Sequence, residues 1–196
     1  MEIIARDYNS IGLNKSLKEI YLGLYSKMVI NDEKDIICSI FSVLINSSRT
    51  LQFDELHEVL TNYLDITDFS KLSISFKKVS RFITIGVDGG CSIFHKSFAD
   101  AIISEISDEI TRKVHLGLAL FFEKNHQILD KSFIPHHLLK SGQLYFFIEK
   151  MKLLPKYFID YFLSHARTMS SLSYPKFIND DLDLVFLGVT QLKVEG

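Results

Sequence analysis

One interruption constrains this chain more than any other feature. Between Phe82 and Phe94 a helical pattern gives way to a β-branched run, Phe82–Val87, then to Asp88-Gly89-Gly90, then to Cys91-Ser92-Ile93-Phe94. Two apolar stretches around residues that accept positive φ predict a β-hairpin with a tight turn. Upstream, Asp32 is read as the cap of a helix carrying Ile36, Ile37, Ile40, Phe41, Leu44 and Ile45, ended by Asn46-Ser47-Ser48. Thr50-Leu51-Gln52-Phe53 alternates as a very short strand, and Asp54 is read as the cap of a helix with Leu56, Val59, Leu60 and Tyr63 inward. Asp68 or Ser70 opens the next helix, with Phe69, Leu72, Phe76 and Val79 at helical spacing. Helix, short strand, helix, helix, hairpin is the order of a winged helix, a helix-turn-helix variant whose hairpin forms the wing.

The rest of the chain reads as helix. Ser16 and Glu19 form a capping box ahead of a stripe of Leu17, Ile20, Tyr21, Leu24 and Met28. After the hairpin, Ser97–Ile106 carries Phe98, Ala101 and Ile102 inward. Asp108 is read as the cap of Glu109–Lys124, with Ile110, Val114, Leu118 and Phe121 facing the core. Pro135 suits a first helical turn, and Ser141-Gly142 suits the end of one. Further helices are predicted near Leu144–Leu153 and Lys156–Ala166, a loop over 171–181, and an apolar run over Leu182–Leu192. The expected fold is mainly α: a winged helix followed by an antiparallel helical stack. The expected divisions are 1–31 as an approach segment and helix, 32–106 as the winged-helix domain, and 107–196 as the stack.

Composition narrows the function classes. The 196 residues carry 22 Lys plus Arg against 24 Asp plus Glu, a net charge of -2 that supplies no global field for nucleic acid. Hydrophobic residues at 47% and charged residues at 23% suit a packed core. The longest apolar stretches, such as Leu116–Phe122, fall well short of the ~20 residues a membrane crossing needs. Charges occupy the place where a signal peptide would have its apolar stretch. Two cysteines cannot form a disulfide framework, which fits a reducing cytoplasmic setting. No membrane partner is expected.

Catalytic and metal signatures are sparse. The chain contains no P-loop, no G-x-S-x-G, no H-E-x-x-H and no C-x-x-C. His136-His137 resembles a metal pair, but neighbours on a helix point about 100° apart, so the two rings are not expected to converge. Cys38 and Cys91 sit in apolar patterns and read as small buried hydrophobes. Asp180-Asp181-Asp183 lacks the glycine and distal Glu of a calcium loop. No nucleophile–base pair accompanies His95 or His137, so a hydrolase is disfavoured and the chain is read as no enzyme. The predicted helix before the hairpin bears Lys71, Lys77, Lys78 and Arg81, in the position that enters the major groove in a DNA-reading winged helix. Asp54, Glu55, Glu58, Asp65 and Asp68 lie nearby in sequence and oppose phosphate, so nucleic acid is the secondary reading. In that reading the chain is a DNA-binding regulator with a helical effector or dimerisation domain.

A family resemblance enters on three segments: Ser16-Leu17-Lys18-Glu19-Ile20-Tyr21, Ile40–Leu56, and Phe94-His95-Lys96-Ser97-Phe98. They resemble the winged-helix region of STAND-class signalling NTPases, the NACHT and NB-ARC group. HLGLALFFEKN and IPHHLLKSGQL resemble the helical region that follows in members bearing WD, ankyrin or TPR-type repeats. The likeness covers residues 14–150 and rests mostly on hydrophobic positions. It implies a non-catalytic interaction or regulatory module whose winged helix packs on a nucleotide-binding domain lying upstream, outside this chain. It implies protein partners, and ADP or ATP only where that upstream domain is present. It also implies a role for His95, because NB-ARC members place a histidine of a Met-His-Asp motif against the β-phosphate of ADP. Here the motif reads Phe94-His95-Lys96, so only the histidine is carried over; the other reading of His95 is a cap for the following helix or a packing group under the wing.

Overall fold

The computed structural model describes residues 16–29, 33–125 and 133–147. The chain divides into two compact units, Met1–Val114 and His115–Gly196. Within the described residues the first unit is mainly helical around one small antiparallel sheet, in the order α1 (Leu17–Met28), α2 (Lys34–Asn46), β1 (Leu51–Gln52), α3 (Phe53–Glu58), α4 (Phe69–Val79), β2 (Ile83–Ile85), β3 (Gly90–Ile93) and α5 (Lys96–Ile102). Helix α6 (Asp108–Lys124) crosses the division between the units, and α7 (Ile134–Lys140) belongs to the second. No helix among the described residues is long and apolar enough to cross a membrane.

Local chemistry explains the helix starts, with two departures from expectation. Ser16 caps α1 through the reciprocal box with Glu19. The cap of α3 is Gln52 rather than Asp54: its side chain accepts from the Glu55 N–H, and the Glu55 carboxylate accepts from the Gln52 N–H at 2.9 Å. Arg49 holds the same carboxylate with both terminal guanidinium nitrogens, each at 2.7 Å, which fixes the corner two residues earlier than an Asp54 cap would. Ser107 rather than Asp108 caps α6, its hydroxyl accepting from the Ile110 N–H at 3.3 Å. Asp68 caps α4 as expected. The expected cap at Asp32 lies outside the described residues, as do the elements expected beyond Phe147; residues 144–147 of the helix expected over Leu144–Leu153 are helical.

Helix α3 does not end at Glu58. It widens into a π turn over Val59–Tyr63, after which Asp65 takes a positive φ of 57° and stops it. The extra residue in the turn shifts the buried stripe, so Leu64 is buried and Tyr63 only half so. On α4 the buried stripe is Leu72, Ser75 and Val79. Phe69, expected inward, begins the helix beyond the end of that stripe; it is 64% exposed and stacks on His57.

The sheet has three strands in the order β1-β3-β2 rather than two. Ile83, Thr84 and Ile85 of β2 face Ile93, Ser92 and Cys91 of β3, while Leu51 and Gln52 of β1 pair with Cys91 and Gly90 on the other edge of β3. Gly89 supplies the positive φ of the turn, at 80°. Gly90 serves a different need: a Cβ there would lie 2.6 Å from the Thr50 methyl, so any larger residue would force the Thr50 side chain beside β1 to move.

Phe98 on α5 is the centre of the first unit's core. It is fully buried, stacks on Phe82 at 4.7 Å, and has Tyr21, Phe41 and Phe94 each at 5.5 Å. These rings come from α1, α2 and both ends of the hairpin. The amino-terminal helix, which the expected division placed with residues 1–31, packs into the same core through Tyr21 and Tyr25. Apolar rings of this size dominate core energetics, and their edge-to-face contacts add directionality.

Candidate functional site

His95 directly follows β3 and Phe94, at the start of α5. Its extended backbone (φ -151°, ψ 130°) is that of a cap residue, and its Nδ1 accepts from the Ser97 N–H at 3.1 Å. With Nδ1 acting as an acceptor, a neutral ring carries its proton on Nε2. The ring is exposed and lies beside Tyr21, at 6.3 Å between centroids. Capping is thus the structural role His95 performs, and it leaves the other ring nitrogen as a donor.

The four basic residues do not form one open face. Lys78 pairs with Glu33 at 3.1 Å, and the Arg81 guanidinium lies over the Phe82 ring at 5.3 Å. Lys77 is exposed near the carboxyl end of α4, and Lys71 lies in its first turn. Lys78 already neutralises a carboxylate of its own chain, which weakens any pull on phosphate.

Cys38 and Cys91 are both buried free thiols, in accord with their reading as small hydrophobes. Burial raises both thiols above their usual range, which keeps them protonated and poor nucleophiles. The Tyr25 hydroxyl is 2.9 Å from the Cys38 sulfur, and burial pushes the phenol upward too, with the Cys38 contact adding to it.

The second unit holds a cluster that local spacing did not predict to form. His115 on α6, and His136 and His137 on α7, are 4%, 6% and 0% exposed. Ring centroids are 5.1 Å apart for His115–His137, 5.2 Å for His136–His137 and 5.8 Å for His115–His136. His115 Nδ1 and His137 Nδ1 are 2.8 Å apart, a hydrogen bond in which one ring donates and the other accepts. One ligand-capable nitrogen from each ring lies within 4.8 Å of the other two. Phe122 stacks on His137 at 5.4 Å and is itself packed on Phe133, so aromatic carbon closes one side.

Burial, with help from the neighbouring His136 ring and then Lys140, pushes His115 down to about 3. Burial likewise holds His137 well below its usual range, with His115 and His136 adding to the effect. Both rings are therefore neutral at physiological pH, the protonation state a metal requires of imidazole.

The expectation that His136 and His137 would not converge is corrected here. Their side chains do leave the helix in different directions, but His115 enters from another helix and all three rings come into contact. The one signal available in sequence was the HLGL segment at the middle of an apolar helix, a polar residue on a buried stripe. A scan against protein-family models, a search of curated proteins and a search of solved structures each found no match to this chain.

Proposed function

We propose that residues 32–106 form a winged helix that serves as a protein-packing module, the regulatory part of a STAND-type signalling or scaffold protein. In this reading it seats on a nucleotide-binding domain, and the helical region over 107–196 links it to further protein-binding repeats. The observation that carries the reading is the order α2–β1–α3–α4–β2–β3 with β1 closing on β3. In this reading α3 and α4 are the helix-turn-helix and β2–β3 the wing, with His95 at the start of α5 directly after the hairpin's last strand.

His95 then has two compatible tasks. Nδ1 caps α5, and the Nε2–H donates to a phosphate oxygen of nucleotide held by the neighbouring domain. Lys96, exposed beside it, contributes positive charge where the family's motif has an acid.

The test is docking. Co-purification with an ADP-loaded STAND nucleotide-binding domain is expected, and His95→Ala is expected to weaken ADP retention by the assembly roughly tenfold, the value of about one hydrogen bond. The chain alone, given ATP and magnesium, is expected to release no phosphate above background. Sustained release, or failure to dock on any such domain, overturns the reading.

A further inference from the structure

We propose that His115, His136 and His137 form a three-imidazole site for zinc, independent of the winged-helix reading. Burying three polar rings among Phe122, Phe133 and the apolar side of α6 forfeits hydration that ordinary core residues never had, so the fold keeps them only where they are engaged.

The spacing of the three rings fits a shared metal. Three imidazoles on one zinc, with Zn–N of about 2.0–2.1 Å and near-tetrahedral angles, place ring centroids about 5.2 Å apart and ligand nitrogens about 3.3 Å apart. The centroid triangle here has sides of 5.1, 5.2 and 5.8 Å. His115 Nδ1 and His137 Nδ1 lie 2.8 Å from each other, so opening that pair by about 0.5 Å reaches the nitrogen spacing of a shared zinc. One nitrogen from each ring lies within 4.8 Å of the other two, so reaching the zinc spacing takes ring movements of at most about 1.5 Å, within ordinary side-chain rotation.

Nitrogen donors without thiolate or carboxylate select borderline divalent ions, and zinc's filled d shell imposes no geometry of its own. Three protein ligands leave the fourth position open. Zinc on three neutral imidazoles keeps its full charge, which favours an anion, hydroxide or chloride, over neutral water as the fourth ligand. The site thus has the composition of a zinc centre that can bind a small anion.

The experiment uses the full chain, stripped with chelator and titrated with cobalt(II) as a visible reporter, then with zinc. One equivalent of cobalt is expected to give the visible bands of a tetrahedral site, which zinc abolishes, and zinc is expected to raise the melting temperature by mass action. His136→Gln is expected to weaken cobalt binding by at least ~100-fold, while His57→Gln, in the other unit, leaves it unchanged. If His136→Gln does not fold, the wild-type protein still decides the matter through histidine-ring ¹⁵N signals, three of which should move together on adding zinc. Absent or octahedral cobalt bands, ring shifts confined to other histidines, or binding by folded His136→Gln equal to wild type each overturn the proposal.

Discussion

Ser75 sits on the buried side of α4, fully enclosed, and its hydroxyl has no hydrogen-bond partner among the described residues. An unsatisfied buried hydroxyl is destabilising, and alanine is also the better helix former, so Ser75→Ala is expected to raise stability by about 1 kcal/mol in urea unfolding. A loss on that substitution would show that the hydroxyl is engaged. Glu55 is the opposite case, a carboxylate that accepts from Arg49 twice and from the Gln52 N–H. Arg49's hydrogen bonds are the largest cause of its lowered pKa, followed by a burial effect of opposite sign. Because the folded value lies below the usual 4.5, the stabilisation is full above that pH and is lost as pH falls through the folded value. Glu55→Gln is expected to cost about 1–2 kcal/mol at neutral pH, with the gap to wild type closing in acid. A gap that stays constant with pH would remove the ion pair from the account. Sequence identified Glu55 only as an acid opposing phosphate; its partner Arg49 lies in the preceding loop, at a spacing that no helical or strand period marks.

At the scale of elements, the hairpin and α5 carry the first unit. Gly89 adopts φ 80°, which an L side chain enters at a cost of about 1–2 kcal/mol, and Gly89→Ala is expected to destabilise by that amount. Phe98→Ala removes the ring on which Tyr21, Phe41, Phe82 and Phe94 converge, and is expected to cost about 3–5 kcal/mol by chemical denaturation. A cost nearer that of a surface change would mean that the rings repack without it. These elements were legible because their signals are local: two β-branched runs around glycine, and phenylalanine at helical spacing. Cap positions were less legible, since Gln52 and Ser107 outcompete the nearby Asp54 and Asp108 through the geometry of the preceding chain. The π turn at Val59–Tyr63 left no trace in the periodicity, because one inserted residue per turn is smaller than the width of an apolar stripe.

For the whole molecule, charge and its placement set what the chain can attract. With a net charge of -2 and Lys78 tied to Glu33, no electrophoretic shift of duplex DNA is expected at low salt. A shift that disappears on changing Lys71, Lys77, Lys78 and Arg81 to alanine would instead favour the nucleic-acid reading. Sequence by itself determined the mainly helical content, the hairpin, the short first strand and the inward position of Phe98, because each follows from the 3.6- or 2-residue period of side chains along a local segment. Tertiary structure alone decided that β1 closes on β3 as a third strand, that α1 joins the core through Tyr21, and that His115 meets His136 and His137. Those contacts join segments roughly twenty to eighty residues apart, and packing free energy summed over many side chains selects them, so no short pattern along the chain encodes them.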